Sequence, residues 1–387
     1  MSVTRLPVRR ALILLLTVKI GFGLLCSCVL ADQAQATGTN APNFSAVEAK
    51  ISSWIERGYF PGAVLIVVKD DRVLIEHSYG SYTPETQVYI ASAGKWLASA
   101  TIAAVVDEGK LSWDDPVAKW LPKLRDSKGR ATLRQLLSHT AGYPDYQPKG
   151  RRRDDYQTLA ESVAAIVILP AADEPGARFR YGGLALQVAG RMAELATGQD
   201  WETIFQTRIA QPLGLTGTVF TPVDGVIEGH SPMLGGGARS TSRDYIRFLE
   251  MIAGDGMFRG RRILSQESIR EMQADQVRGA HVEPGAEFVE MTRGAKHHGI
   301  YGLGEWREKL DGHGNAVLLS SPSWAGAYPW FDKDRRLYGV FLAHVDVSPG
   351  NAAVRDKFNA FYSSPVLATL VADAVDERVG SYRGESR

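Results

Sequence analysis

Ser92 and Lys95 form the only Ser-x-x-Lys sequence in the chain, where a strand-like run from Val88 to Ala91 meets a predicted helix. Residues three apart on a helix share a face, with Cβ atoms about 5–6 Å apart, so the Lys95 amine can reach the Ser92 hydroxyl. Burial favours the neutral form of a lysine, and a neutral amine can accept the serine proton. The backbone N–H of Ser92 is a candidate donor to a developing oxyanion. The spacing therefore predicts nucleophilic serine chemistry, although a capping serine followed by a lysine is also ordinary helix composition.

Other catalytic signatures are absent from the sequence. It contains no Gly-x-Ser-x-Gly elbow, no Gly-x4-Gly-Lys-Ser/Thr loop and no His-Glu-x-x-His helix. Its eight histidines are scattered, with only His297 and His298 adjacent, and its two cysteines, Cys26 and Cys28, lie near the N-terminus. We expect no metal and no cofactor, because the proposed serine chemistry needs neither.

Composition limits the class of protein. The chain has 387 residues, of which 44% are apolar, enough for one large core or two smaller ones. Its 44 lysines and arginines against 43 aspartates and glutamates give a net charge of +1, which lacks the positive excess of a dedicated nucleic-acid binder. We expect a globular protein with no nucleic-acid partner. The nucleophilic serine chemistry predicted above would act on a small ester or amide substrate.

Residues 1–36 have the pattern of an export signal. Three arginines precede an apolar stretch from Ala11 to Ala31, and Ala34-Gln35-Ala36 offers the small residues that signal peptidase reads. A polar linker, 37–43, follows. An uncleaved membrane anchor is an alternative, since about 20 apolar residues can span a bilayer, and lipidation of Cys28 is another. We expect a periplasmic or secreted protein that contacts a membrane only if this segment is retained or lipidated.

Strand-like segments lie at both ends of the remaining chain, and helical periods lie between them. Ala63 to Val68 and Val73 to His77, joined by Asp70-Asp71, predict an antiparallel hairpin. Further strands are predicted at 316–319, 326–331 and 338–344, and helices at 45–57, from Ser92 to Gly109, and at 132–139, 156–168, 183–195, 201–209 and 352–362. This order predicts an α+β fold: an antiparallel sheet from N- and C-terminal segments flanked by helices, with a mainly helical inserted subdomain. A cleft is expected at their junction.

The sequence from Ile90 to Lys95, Ile-Ala-Ser-Ala-Gly-Lys, resembles the first motif of the serine β-lactamase-related family. Further landmarks of the family follow in order at 107–117, 132–142, 175–181, 212–215, 236–244 and 301–304. The family includes class C β-lactamases, D-Ala-D-Ala carboxypeptidases, D-amino-acid peptidases and β-lactamase-fold esterases. The resemblance covers 44–375, leaves a polar tail at 376–387, and implies a β-lactamase/transpeptidase-like fold.

The resemblance also implies roles for the matching residues. Ser92 would be the acylated nucleophile and Lys95 its proton acceptor. Tyr181, in the second motif, would move protons between Ser92, Lys95 and the leaving group. Whether Lys95 or Tyr181 is the principal base stays open.

Two motifs depart from the family pattern. The second, normally Tyr-x-Asn, is Tyr181-Gly182-Gly183, so Gly183 stands where a substrate-binding amide is expected. The third, normally Lys-Thr-Gly or His-x-Gly on a strand, is Trp324-Ala325-Gly326-Ala327. His297-His298-Gly299 has the right letters but precedes the 301–304 landmark, which is the wrong order for the family.

The altered third motif has consequences for substrate choice. Gly326 would let substrate approach the backbone closely, and the N–H of Ala327 would be the second oxyanion donor, beside that of Ser92. Without its basic residue the motif loses a carboxylate-binding group, whereas Trp324 suits an apolar acyl or alcohol group. Arg239 and Lys296 stay open as replacement cations.

We therefore expect an exported serine hydrolase that forms an acyl-enzyme on Ser92 and acts as a carboxylesterase on small acyl esters. One alternative is a β-lactamase or D-Ala-D-Ala carboxypeptidase. Another is a catalytically silent cell-envelope binding protein, which is favoured by the missing second-motif amide and the missing basic residue of the third motif.

Overall fold

The computed structural model describes residues 41–144, 158–221, 232–282, 299–345 and 358–384, with side chains in the last helix described to residue 377. Residues from Pro42 onward form one compact unit. The predicted export signal, 1–36, lies outside the described residues. Among the helices that are described, none is long and apolar enough to cross a bilayer.

A six-stranded antiparallel sheet joins the two ends of the described chain. The strands of the described residues are β1 (Gly62–Lys69), β2 (Arg72–Gly80), β3 (Val88–Ala91), β4 (Val219–Phe220), β5 (Ala238–Ser240), β6 (Met257–Phe258), β7 (Arg261–Arg262), β8 (Trp306–Leu310), β9 (Ala316–Ser320), β10 (Tyr328–Asp332) and β11 (Leu337–Ala343). The large sheet has the order β2-β1-β11-β10-β9-β8, and Ala63 of β1 lies opposite Ala343 of β11. The predicted sheet of N- and C-terminal segments is confirmed.

Helices cover the sheet and form the middle of the chain. The helices of the part of the chain that the structure describes are α1 (Ser45–Glu56), α2 (Gly94–Asp107), α3 (Val117–Trp120), α4 (Ser127–Arg130), α5 (Leu133–Leu137), α6 (Leu159–Val167), α7 (Leu184–Thr197), α8 (Trp201–Phe205), α9 (Gln211–Leu213), α10 (Ser242–Ala253), α11 (Gln266–Gln273), α12 (Ala360–Ser363) and α13 (Val366–Gly384), with a π-helical stretch at Gln206–Ala210. This is the predicted α+β architecture.

The central strands β1, β10 and β11 are buried on both faces, which explains why β1 is a continuous apolar run rather than an alternating one. Val64, Ile66 and Val68 of β1 join the large core around α2 and α10. Leu65 and Val67 point to the other side, into a core that contains residues of α1 and α13. Both layers therefore fix the position of the central strands.

A second, three-stranded sheet of order β3-β5-β4 lies beside the start of α2. The helix α2 is buried from Gly94 to Val105, as expected for a helix that is apolar on all sides. The turn between β3 and α2 holds Ser92. The nucleophile candidate is thus anchored between a sheet and a central helix.

Some predicted elements differ from the structure. The helix after Ser92 begins at Gly94, and α10, α11 and the edge strand β8 were not predicted. The predicted helix 352–362 lies partly outside the described residues, and its described part forms α12. The last helix, α13, continues to Gly384 and includes most of the expected polar tail.

Candidate active site

Ser92 lies in the turn between β3 and α2. Ala91 before it has a positive φ of 44°, a conformation that costs a non-glycine residue energy and is concentrated at functional sites. The carbonyl of Ser92 accepts hydrogen bonds from the backbone N–H of Lys95 at 3.0 Å and from Ser321 Oγ at 3.3 Å. The turn is therefore fixed both by α2 and by the segment after β9.

Lys95 lies on the first turn of α2, and its amine contacts Ser92 directly. Lys95 Nζ is 2.9 Å from Ser92 Oγ and donates a second hydrogen bond to the carbonyl of Gly235. The residue is only 3% exposed. The i, i+3 contact predicted from the sequence is present, with the amine held between the hydroxyl and a loop carbonyl.

Tyr181 lies just before α7 and covers the amine of Lys95. Lys95 Nζ stands 4.6 Å from the centroid of the Tyr181 ring, a favourable position for a cation over an aromatic face. The ring also packs against Trp306 at 5.2 Å and His139 at 4.6 Å between centroids. The structure thus brings Ser92, Lys95 and Tyr181 together.

His139 packs against the Tyr181 ring and accepts a hydrogen bond from the next residue, Gly182. Its Nδ1 accepts the backbone N–H of Gly182 at 3.4 Å, so the ring hydrogen is on Nε2, which lies 3.3 Å from the hydroxyl of Tyr301. Complete burial, and then the positive charge of Lys95, hold the pKa of His139 well below its usual range. A neutral histidine is therefore part of the wall behind Tyr181.

The 301–304 turn packs directly on α2. Gly304 has a positive φ of 84°, and a Cβ at this position would lie 2.6 Å from the carbonyl oxygen of Lys95 and clash with Ser99. The next residue, Glu305, is fully buried, and neither of its carboxylate oxygens has a hydrogen-bond partner among the described residues. Burial raises the pKa of Glu305 to about 8, against the lowering effect of the Lys333 and Arg307 charges.

Gly183 is the residue just before α7, at the place where the family motif has an amide. A Cβ on Gly235 would lie 2.6 Å from the Cα of Gly183, so the two glycines touch. This close approach accompanies the hydrogen bond from Lys95 to the carbonyl of Gly235. The carbonyl of Gly235 therefore contacts Lys95 beside the second motif, in which Gly183 replaces the expected amide.

The third motif forms a turn before β10 rather than the start of the strand that we predicted at Gly326. Gly326 has a φ of 125°, and a Cβ there would clash with the carbonyl of Ala343. Ala325 packs with Tyr89 and Ala91, next to Ser92, which brings the motif to the nucleophile turn. Trp324 is 36% exposed, and its ring meets Tyr89 edge-on at 5.5 Å.

No role was predicted for several residues of this site. His139 and Tyr301 lie within the family landmarks 132–142 and 301–304. The landmarks therefore included both residues but did not predict that they contact each other. Lys296, His297 and His298 lie outside the described residues. Among the residues that are described, no group of three or more His, Cys, Asp or Glu side chains could hold a metal ion.

Comparison with known proteins defines the class. Residues 47–363 match the family model described as Beta-lactamase. The chain therefore belongs to the β-lactamase family, and it is a β-lactamase-fold hydrolase.

Relatives show how varied the family is. The chain is 52% identical to a Bacteroides dorei protein provisionally named a β-lactamase, over 86% of this chain and 99% of that one, with a TM-score of 0.80. It is 29% identical over 216 residues to an Escherichia coli K12 protein provisionally named a D-alanyl-D-alanine carboxypeptidase, which covers 49% of this chain and 50% of that protein. A family VIII carboxylesterase shares the fold at 18% identity, with a TM-score of 0.62 over 84% of this chain and 98% of that chain.

Proposed function

We propose that the protein is a serine carboxylesterase that acts through an acyl-enzyme on Ser92. The observation that carries the proposal is the 2.9 Å contact between Lys95 Nζ and Ser92 Oγ on the first turn of a buried helix. A neutral Lys95 amine at this distance is within reach of the serine proton. Membership of the β-lactamase family supports a hydrolytic role for the Ser92–Lys95 pair.

In the acylation step, Ser92 Oγ attacks the ester carbonyl carbon while its proton passes to Lys95 Nζ. The carbonyl oxygen becomes an oxyanion, for which the N–H groups of Ser92 and Ala327 are the proposed donors. Collapse breaks the bond to the alcohol oxygen, which takes the proton from Lys95, with the Tyr181 hydroxyl as the proposed relay. Water then attacks the acyl group, and the same groups act in reverse order to release the acid and restore Ser92.

The proposed substrates are small acyl esters. Trp324 offers a partly exposed apolar ring, and the third-motif turn from Trp324 to Ala327 contains no basic residue. An apolar acyl or alcohol group would bury part of the indole surface, which is favourable by about 25 cal/mol per Å² of apolar area. This favours esters over substrates that rely on a cation in this motif.

The test uses purified protein with p-nitrophenyl acetate and butyrate, then nitrocefin, and compares wild type with Ser92→Ala. We expect ester turnover and a mass increase equal to the acyl group, both lost in Ser92→Ala while its circular dichroism spectrum is unchanged. Undiminished labelling of Ser92→Ala would refute the proposed nucleophile. Faster acylation by nitrocefin than by either ester would assign a β-lactamase or D,D-carboxypeptidase, and no adduct with any probe would assign a silent binding protein.

We also propose that the chain is exported and that residues 1–36 are its signal. The charge and apolar pattern of this segment supports the proposal. Expression of the full chain followed by N-terminal sequencing should give a chain that begins at Thr37. A chain that keeps its N-terminus and remains with the membrane fraction would instead assign an anchor.

A further inference from the structure

Arg239 lies on β5 beside the candidate active site. Its strand partner is Tyr89 of β3, three residues before Ser92. The guanidinium carbon of Arg239 stands 5.6 Å from the centroid of the Tyr89 ring, and the residue is half-buried. The charge is thus partly removed from water and rests on an aromatic face.

Arg239 differs from other cations of similar burial in the described part of the chain. Each other buried or half-buried lysine or arginine donates to at least one oxygen atom of the protein, whereas no oxygen of a described residue accepts from Arg239. The paired cations are Lys69, Lys95, Lys128, Arg134, Arg178, Arg180, Arg191, Arg208, Arg243, Arg247, Arg307 and Arg335.

A partly buried cation without an anion is unfavourable unless something replaces its lost hydration. The Tyr89 ring offsets part of this cost, by about 0.5–1 kcal/mol at exposed sites and more when water is excluded. A ring, however, satisfies none of the five N–H donors of a guanidinium. The donors of Arg239 therefore remain available for an external oxygen ligand.

Tyr89 connects Arg239 to the third-motif turn. The Tyr89 ring also meets the Trp324 ring edge-on, with 5.5 Å between centroids. The Tyr89 hydroxyl donates a hydrogen bond to the carbonyl of Gly236. The adjacent residue, Gly235, accepts the hydrogen bond from Lys95. Arg239 and the exposed Trp324 thus contact the same Tyr89 ring, and Trp324 stands where the family motif has its basic residue.

We propose that Arg239 binds a carboxylate of the substrate, so that the preferred esters carry an apolar segment against Trp324 and a carboxylate against the Arg239 guanidinium. The proposal rests on the proposed esterase function. A guanidinium suits this task because its parallel N–H groups can bind both carboxylate oxygens.

The test compares matched esters that differ in one negative charge. Hydrogen p-nitrophenyl glutarate against p-nitrophenyl pentanoate places the charge on the acyl side. Ionised 4-acetoxybenzoate against its methyl ester places it on the alcohol side. Each pair is measured with wild type, Arg239→Gln, Arg239→Lys and Arg259→Gln. Arg259 is the matched control, since it also lies over a ring, that of Phe258 at 4.8 Å, but carries an ion pair with Glu250.

We expect wild type to prefer the charged member of one pair, after correction for intrinsic reactivity by alkaline hydrolysis. Arg239→Gln should lower kcat/KM for that charged ester by about tenfold or more, the usual effect of a charge-assisted hydrogen bond, and leave its neutral partner within about twofold. Arg239→Lys should retain part of the preference, and Arg259→Gln should retain all of it.

Two results would overturn the proposal, and they are distinguishable. If neutral esters acylate Ser92 but Arg239→Gln changes neither charge preference, the carboxylate site is refuted and the esterase function stands. If no ester acylates Ser92, the esterase function fails and the carboxylate site fails with it.

Discussion

The cluster of Ser92, Lys95 and Tyr181 and the turn from Trp324 to Ala327 lie side by side but differ in how they are held. Lys95 is 3% exposed and contacts a hydroxyl, a carbonyl and a ring. Trp324 is 36% exposed and packs edge-on against a single tyrosine ring. The proposed proton acceptor is enclosed, whereas the side chain proposed to meet the substrate is open. A fold of this kind can keep one reaction type while the substrate changes.

The largest effect should come from the enclosed cluster. Lys95→Ala removes the proposed proton acceptor and should lower kcat by about a few hundredfold or more, in line with general-base contributions. Stopped-flow measurement of p-nitrophenyl acetate acylation checks this. Lys119→Ala is the control, because Lys119 also lies over a ring, that of Trp120 at 5.2 Å. A mild effect in Lys95→Ala would show that Lys95 is a structural residue. The contrast between the cluster and the turn from Trp324 to Ala327 would then be lost.

Tyr181→Phe sharpens the comparison within the cluster. Phenylalanine keeps the ring over the Lys95 amine and the packing on His139 and Trp306 but lacks the hydroxyl. We expect kcat to fall by about ten- to a hundredfold with little change in KM, because a proton relay is lost while binding is retained. Steady-state kinetics with p-nitrophenyl butyrate measure both constants. An unchanged kcat would show that Tyr181 acts only through packing.

Trp324→Ala tests the open side of the site. It should lower kcat/KM for p-nitrophenyl butyrate by about tenfold, through loss of apolar contact, and affect the acetate ester less. The rise in KM should account for most of the change, because Trp324 is proposed to bind rather than to react. Equal losses of kcat with both esters would contradict a binding role and place Trp324 with the enclosed cluster.

The last prediction concerns stability rather than rate, at the buried carboxyl group of Glu305. Burial raises the pKa of Glu305 from 4.5 to about 8, so the folded state keeps this proton between these pH values while the unfolded state releases it. The raised pKa of Glu305 stabilises the folded state most below pH 4.5, and this stabilisation is lost as the pH rises towards 8, at up to about 1.4 kcal/mol per pH unit. Glu305→Gln should flatten that slope in urea unfolding measured between pH 5 and 8. An identical slope in the variant would show that Glu305 is already ionised when buried.

Local spacing predicted the parts of the structure that depend on near neighbours in sequence. The apolar run of β1, the Asp70-Asp71 turn and the Ser92 to Lys95 contact all follow from residues close together in the chain. The helix α10 was not predicted, although its sequence contains apolar residues at helical spacing. These residues are Tyr245, Phe248, Leu249 and Ile252.

Contacts between distant segments could not be predicted in this way. The hydrogen bond from Lys95 to the carbonyl of Gly235 joins residues 140 apart, and a backbone carbonyl leaves no trace in residue type. The same holds for His139 and Tyr301, which meet across 162 residues. The motif order suggested which segments gather at the site, and the residues that support Lys95 and Tyr181 became visible only with the fold.

The pairing of β1 with β11 has a consequence for how the protein is made. β1 is complete at residue 69, but the strand that pairs with its inner edge ends at residue 343. Closing a loop of this length is slow compared with local helix formation. Nearly the whole chain must therefore leave the ribosome before the central sheet can close. A chain that stays open until its last strands are made keeps one edge of β1 unpaired for that time.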